Sequence, residues 1–461
     1  MNHDELNIWS KRAADWARDY HAGLRDRPVR APLVPGQVAS ALPATPPDGP
    51  EPMEAIWDDF TRLVPDAMTH WQHPRFFAYF PANAAPASML AAQLANAMAA
   101  QGMLWQTSPA ATEMEQVMIG WLAQAVGLPE GFTGTLHDSA TTATLSAVLT
   151  MREQALGHEG LVKGLSGMPR LRLYASAETH SSVDKAARLS GIGQENLVKV
   201  PTDTSLSMDP ALLDAAIRAD LAAGFRPCGV VLCAGGTSVG AFDRIGACIA
   251  VAKAHGLPVH VDAAWAGSAM ICPEFRPLWA GVEGADSVIF NPHKWLGAQF
   301  DCAVQFLRDP GPQVRTLGLR PAYLETAGRE EIVNFNEWTV PLGRPFRALK
   351  LWFLIRAYGL EGLRARIRNH VAWAVEACNA LRAQPGVEIV TEPSLSLFTF
   401  ALAEEAATAA LLEAINDDGR IYLTPTRHRG RLVIRVQVGQ FDCTRTDVME
   451  IPATVARLRG V

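Results

Sequence analysis

The stretch Asp286-Ser-Val-Ile-Phe-Asn-Pro-His-Lys294-Trp-Leu-Gly297 decides the fold. A short β-rich run ends at Asn-Pro, which breaks it just before one lysine beside a histidine. A strand that ends in such a turn puts the lysine at a carboxyl edge, where ligands of open α/β sheets bind. Burial there lowers an ammonium's pKa, and the neutral amine can attack an aldehyde and hold it as an imine. Taken alone, the same residues also describe a turn with an exposed lysine.

Working outward, Leu171–Ser176, Gly229–Cys233 and Pro258–Val261 are similar apolar runs, each followed by a polar or Gly-rich turn. From about Arg75 to Arg308 such runs alternate with helical ones, the pattern of an α/β domain on a mostly parallel sheet. His260-Val-Asp262-Ala-Ala264-Trp-Ala-Gly267 sets an acid at the end of an apolar strand. A buried carboxylate needs a cationic partner. A protonated pyridine nitrogen would serve, and so would an arginine; a helix cap is the plainer use of such an acid.

Gly134-Thr-Leu-His-Asp-Ser139-Ala140-Thr141-Thr-Ala143 places small residues and hydroxyls where a strand enters a helix. Helix-start amides and the Ser139 and Thr141 hydroxyls can cradle a phosphate, although the same residues also make an ordinary cap. Ala234-Gly-Gly236-Thr237-Ser238 is a second hydroxyl-bearing turn after a strand, with the same ambiguity. Glu178-Thr-His180-Ser-Ser182 follows another strand and brings His180 to the same rim, to stack on a cofactor ring and exchange a proton, or to face solvent.

Composition narrows the partners. The net charge of -6 over 461 residues comes without a basic block, which disfavours nucleic acid and anionic membranes and favours a small molecule. The weakly polar stretch from Met89 to Trp105 is broken by Gln93, Asn96 and Gln101, so no membrane span is expected. The start Met-Asn-His-Asp-Glu lacks the basic and apolar parts of a secretory signal, and the seven cysteines form no Cys-x-x-Cys pair. A cytoplasmic protein with reduced thiols is expected. The twelve histidines show no metalloprotease spacing, so no metal site is expected.

Leu6, Trp9, Ala13, Trp16 and Tyr20 recur at helical spacing and predict one docking face. Eight prolines between Pro28 and Pro52 then make an extended arm, so the helix can pack on its own chain or on another subunit. Beyond Pro341, helices around Phe346–Arg364 and Ile367–Leu381 and strands near Leu397–Ala401 and Leu432–Val438 read as a smaller α+β domain. The expected division is an N-terminal helical arm at 1–74, a large domain at 75–345 and a small domain at 346–461.

Together and in this order, these segments resemble the group II pyridoxal-phosphate decarboxylases, most closely the aromatic L-amino acid decarboxylases. The likeness also takes in His73-Pro-Arg-Phe-Phe-Ala-Tyr79-Phe-Pro81, Trp105-Gln-Thr-Ser-Pro109, the run from His260 to Arg276 and Pro341-Leu-Gly-Arg-Pro-Phe-Arg347. It implies a type I pyridoxal-phosphate fold with a seven-stranded, mostly parallel sheet, and a homodimer with interlocked N-terminal helices and its active site at the subunit interface.

By position, the resemblance implies that Lys294 holds pyridoxal 5'-phosphate as a Schiff base and that Asp262 pairs with its ring nitrogen. Ala264 and His180 would sandwich the ring, with Ala140, Thr141, Thr237, Asn291 and His293 around the phosphate. Trp71, Tyr79, Phe80, Pro81, Ala82, Met103 and Phe300 would line an apolar pocket suited to a flat aromatic side chain. The implied reaction turns an aromatic L-amino acid (tryptophan, phenylalanine, tyrosine or dopa) into its amine and carbon dioxide, with Lys294 and His180 as catalytic residues.

Several positions depart from the pattern. Where the family's decarboxylases commonly carry a loop tyrosine credited with protonating Cα, this chain reads Val333-Asn-Phe335-Asn-Glu-Trp338, and Phe335 has no proton to give. His180, or a water it holds, could protonate instead. Otherwise the carbanion meets oxygen, and the product is the aldehyde of related aromatic aldehyde synthases. Ala82 replaces a hydroxyl residue and Met103 an aromatic one, which disfavours a catechol substrate. Trp265 replaces a tyrosine. Two rival readings are transamination, with Arg435 holding a substrate carboxylate, and a binding protein that has lost activity.

Overall fold

Short runs of Val, Ile, Leu and Phe form the central sheet: β1 (Thr133–His137), β2 (Leu171–Ser176), β3 (Leu197–Val200), β4 (Arg226–Cys233), β5 (Val259–Asp262), β6 (Ser287–Phe290) and β7 (Ala303–Leu307). They stand in the order β1-β7-β6-β5-β4-β2-β3 in the computed structural model, which describes residues 1–319 and 332–460. The strands from β6 through β3 are parallel, while β7 runs antiparallel to both β6 and β1. The expected seven-stranded, mostly parallel α/β sheet is therefore present, and the reversal at β7 is an addition.

The chain forms two compact units. One comprises Met1–Pro81, Trp373–Glu392 and Phe398–Val461, and the other Ala82–Ala372 with Pro393–Leu397. The sheet belongs to the second. Strands buried on both faces need apolar residues throughout, and β4 to β7 have them, with Val230, Val231, Val261, Val288, Phe290 and Val304 fully buried. Gly134 is required by close approach: a Cβ there would lie 2.0 Å from the Gln305 carbonyl oxygen of β7.

In the first unit the N-terminal helix His3–Ala22 opens with a capping box between Asn2 and Glu5. Trp9 meets Trp57 at 5.7 Å and Trp16 meets Phe60 at 4.9 Å, so the helix lies on Met53–Leu63 of its own chain. Ala13 and Leu6 stay exposed. Within the proline-rich arm only the short Gln37–Ala41 is helical. The C-terminal strands β8 (Glu388–Ser394), β9 (Leu397–Ala401), β10 (Thr424–His428) and β11 (Arg431–Gln437) form a sheet ordered β10-β11-β9-β8.

The two helices expected from Phe346 to Leu381 are one assigned helix, Ala348–Arg382, interrupted at Gly359 with φ 63°. Glycine adopts that left-handed value without a Cβ penalty, so the break falls earlier than the sequence suggested. Among the described residues no helix is long and apolar enough to cross a membrane. All seven cysteines are buried and free.

Candidate active site

Lys294, Asp262, Thr237 and His180 follow β6, β5, β4 and β2, four neighbouring parallel strands, and so share one edge of the sheet. β1 runs the same way as β6, since both are antiparallel to β7, and it delivers Ala140 and Thr141 to that edge. This is the carboxyl edge, where helix starts and loops leave room for a ligand.

The lysine sits on a wide π-type turn, Pro292–Leu296, closed by Gly297 N–H donating to the Pro292 carbonyl at 3.0 Å. Such turns spread the backbone and occur often at functional sites. Lys294 is half-buried. The loop after β5 is tied to this turn, because the Asn291 amide donates to the Ala264 carbonyl at 2.8 Å and the Ala263 amide to Ile289 at 3.0 Å. Trp265 and Trp295 lie stacked 5.0 Å apart beneath the two loops, and Trp295 Nε1 donates to His370 Nδ1 at 2.9 Å. The tryptophan that replaces a tyrosine thus packs against the residue that follows the lysine.

Asp262 is 7 % exposed, and its described hydrogen bond is the one accepted from Ala264 N–H at 3.0 Å. No lysine or arginine among the described residues forms an ion pair with it, which leaves a carboxylate suited to a cationic ligand atom. His180 caps the helix Ser181–Leu189, its Nδ1 accepting from the Ser182 amide at 3.2 Å and lying 2.9 Å from the Ser182 hydroxyl. The neutral ring therefore carries its proton on Nε2. Loss of hydration lowers the His180 pKa below 6.5; the charge of Asp262 opposes this and that of Lys294 adds to it. All three groups thus act in one field.

Around the expected phosphate position, the amides of Ala140 and Thr141 open the helix Ala140–Ala155 without an acceptor among the described residues, and the Thr141 hydroxyl is not hydrogen-bonded to one of them either. The Ser139 oxygen accepts from the Thr142 amide as a helix cap, and its hydroxyl lies 2.9 Å from that of Thr142. Asn291 is 3 % exposed, and its side-chain oxygen is without a partner among the described residues. His293 Nδ1 accepts from the Cys302 amide at 2.9 Å, and burial, reinforced by Lys294, lowers its pKa to about 3. It too is neutral with Nε2–H to donate. Thr237 lies half-buried in the turn after β4, where Gly235 (φ +84°) lets that turn approach Ala266. Ala140, Ala143 and Ile289 pack together with Ala264 and join the helix start to the loop after Asp262.

These groups fit pyridoxal phosphate. The helix amides, Thr141, Asn291 and His293 would hold the phosphate, Asp262 the ring nitrogen, Lys294 the aldehyde carbon, and Ala264 and His180 the two ring faces. Bound there, the cofactor supplies an electron-withdrawing ring that stabilises negative charge at a substrate's Cα.

Of the expected substrate residues, Ala82 and Met103 are half-buried and Phe300 is 55 % exposed, all in the second unit. Phe300 meets His293 edge-on at 4.7 Å. Trp71, Tyr79, Phe80 and Pro81 belong to the first unit. There Trp71 stacks against Tyr79 at 5.9 Å and both are partly exposed, whereas Phe80 and Pro81 are buried. Arg435 spans that turn from the same unit, donating to the Tyr79 carbonyl with its guanidinium 4.5 Å over Phe80. It braces the turn.

Phe335 is 1 % exposed, with the Arg344 guanidinium 4.9 Å from its ring and Trp338 edge-on at 5.5 Å.

The sequence reading missed three supports. Asn83 donates its side-chain amide to the Lys294 carbonyl at 2.6 Å, Arg366 donates to the Trp295 and Leu296 carbonyls at 2.7 and 2.6 Å, and Lys350 donates to the Asp301 carbonyl at 2.6 Å. Each satisfies backbone of the lysine loop from far along the chain, a pairing for which no local spacing gives a signal.

Comparison with known proteins agrees with this geometry. The family model described as the pyridoxal-dependent decarboxylase conserved domain matches residues 35–403. The chain belongs to that family. Aromatic-L-amino-acid decarboxylase of Bos taurus is 37% identical over 486 residues, covering 100% of this chain and 98% of the relative. Phenylacetaldehyde synthase of Arabidopsis thaliana is 36% identical, covering 95% and 92%. A solved structure of Oryza sativa TDC with PLP and tryptamine superposes with a TM-score of 0.95 at 35% identity, covering 99% of each chain. As a pyridoxal-dependent decarboxylase, the protein is a carboxy-lyase that uses pyridoxal phosphate.

Proposed function

We propose that this decarboxylase acts on an aromatic L-amino acid and releases the amine and carbon dioxide. The aromatic preference is supported by Phe300, which meets His293 edge-on beside the lysine turn, and by relatives named for aromatic substrates. Lys294 binds, Asp262 keeps a proton at the ring nitrogen, and His180 covers the ring and holds a proton on Nε2. A second copy of the chain completes the site, a part of the reading that size-exclusion chromatography checks.

The observation that carries amine over aldehyde is the tautomer of His180, whose Nδ1 accepts from the Ser182 amide at 3.2 Å and so keeps a proton on Nε2 to give. The aldehyde alternative rests on Phe335, which has no proton to give. We assign protonation of Cα to His180, or to a water it holds.

One assay separates the products. The amine route yields amine and carbon dioxide, while the competing route consumes oxygen and water and yields aldehyde, carbon dioxide, ammonia and hydrogen peroxide. Purified holoenzyme is incubated under air with each aromatic amino acid, and amine, aldehyde and peroxide are quantified. Amine without peroxide supports the proposal; aldehyde and peroxide in equal amounts overturn it. Retention of the carboxylate throughout would point to transamination.

A further inference from the structure

Beneath the candidate site, a row of buried polar side chains crosses the sheet. Thr144 of the helix Ala140–Ala155 bonds His260 of β5 (3.2 Å), which bonds Ser287 of β6 (2.9 Å), which accepts from Gln305 of β7 (2.9 Å). Gln305 is held in turn by His137 at 2.9 Å and by a reciprocal pair with Gln313 at 2.9 and 3.0 Å. None of these six side chains is more than 5 % exposed.

The protons in this row run one way. Gln305 spends one amide hydrogen on Gln313 and the other on Ser287 Oγ. Ser287 then donates to His260 Nδ1, which leaves the proton of the neutral ring on Nε2 to donate to Thr144 Oγ1. Every member is satisfied, the condition under which a buried polar network specifies geometry. Stability alone gives no reason for it, since apolar side chains of similar volume are generally tolerated at such places.

Its location supplies a reason. His260 is two residues before Asp262 on one strand, so both point to the same sheet face. Thr144 is one helical turn beyond Ala140, so both lie on the same face of the helix. The neighbouring contacts between helix and sheet are small apolar ones, Ala140 and Ala143 against Ile289, and these do not by themselves fix how far the helix slides. Among the described residues, Thr144–His260 is the side-chain hydrogen bond joining this helix to β5 or β6. Pyridoxal phosphate has a rigid ring and a short phosphate arm, so its phosphate and ring nitrogen stand within a narrow range of distances.

We propose that Thr144, His260, Ser287 and Gln305 are positioning residues that set the span between the helix start at Ala140 and the carboxylate of Asp262, and so govern how tightly the cofactor is retained. This rests on the cofactor occupying the site described above. The test titrates cofactor-free protein with pyridoxal phosphate, follows visible absorbance, and measures the Tm of the cofactor-free form in parallel. Thr144→Val, nearly isosteric but unable to bond His260, is expected to raise the cofactor Kd about tenfold, while Thr144→Ser stays within about twofold of the parent. Ser287→Ala, which cuts the row at its middle, is expected to weaken binding in the same direction and decides the matter if Thr144→Val does not fold.

Unchanged Kd in Thr144→Val and Ser287→Ala, whatever happens to Tm, overturns the proposal, as does a Thr144→Ser protein that binds as weakly as Thr144→Val. If the parent protein itself develops no visible band, both this inference and the site assignment fall. A parent band with indifferent variants removes the inference alone.

Discussion

Asn83 brackets the lysine turn with two hydrogen bonds, its backbone amide donating to the His293 carbonyl at 2.8 Å and its side-chain amide to the Lys294 carbonyl at 2.6 Å. The residue is fully buried, so no water can replace it. Asn83→Leu keeps the volume and strands the Lys294 carbonyl, a loss of about 1–3 kcal/mol. We expect a lower Tm and a kcat/KM reduced by about tenfold or more, since each 1.4 kcal/mol is worth about a factor of ten. Kinetics indistinguishable from the parent would show that the turn needs no such clamp.

Lys294→Ala removes the amine proposed to bond the cofactor aldehyde. The variant is expected to lose the visible band of the bound cofactor, and activity with it, while keeping its far-UV circular dichroism. A variant that still shows the band after dialysis would move the attachment point elsewhere.

Asp262→Asn tests charge at nearly constant shape. The carboxylamide can still accept the Ala264 amide seen at 3.0 Å, but it cannot hold a proton on a ring nitrogen by charge. The expected outcome is a cofactor-bound protein whose kcat falls by roughly 100-fold or more, in the range that a lost electrostatic partner costs at an active site. Retention of more than a tenth of the activity would contradict the assignment.

How much of this was legible follows from the kind of residue concerned. Lys294, Asp262 and His180 were readable because a polar residue closing an apolar strand is unusual in sequence and falls at one edge once the strands are parallel. The antiparallel β7 was not readable, since Ala-Val-Gln-Phe-Leu carries no mark of direction. Gly359 was passed over because the apolar pattern continues through Leu360 and Leu363 as if the helix were unbroken. The burial of Phe335 was not readable for a different reason: a motif fixes residue order, while packing against Arg344 depends on a guanidinium nine residues later.

The buried histidines set the acid side of stability. Burial is the largest cause of the lowered pKa at His73 (about 4), His137 (about 3), His260 (about 4) and His293 (about 3), against an ordinary 6.5. Below pH 6.5 the unfolded chain takes up protons at these positions that the folded chain refuses, so stability falls as pH falls from about 6.5 toward 4. Asp243 works the other way: burial raises it from 3.8 to about 6, and its folded form keeps a proton across that window. Four groups outweigh one. Tm of the cofactor-free protein should therefore be lower at pH 5 than at pH 7.5, and a flat or inverted profile would show that these rings gain water or partners in solution.

The choice between amine and aldehyde reduces to a comparison of Phe335→Tyr with His180→Gln. If His180 gives the proton, a hydroxyl added at Phe335 leaves the ratio of amine to peroxide unchanged. His180→Gln removes the proton held on Nε2, leaves negative charge at Cα longer in the presence of oxygen, and should shift product toward aldehyde and peroxide. The two variants thus make opposite forecasts for the two readings. Amine gained in Phe335→Tyr with no change of product ratio in His180→Gln would make Phe335 the position that decides the product.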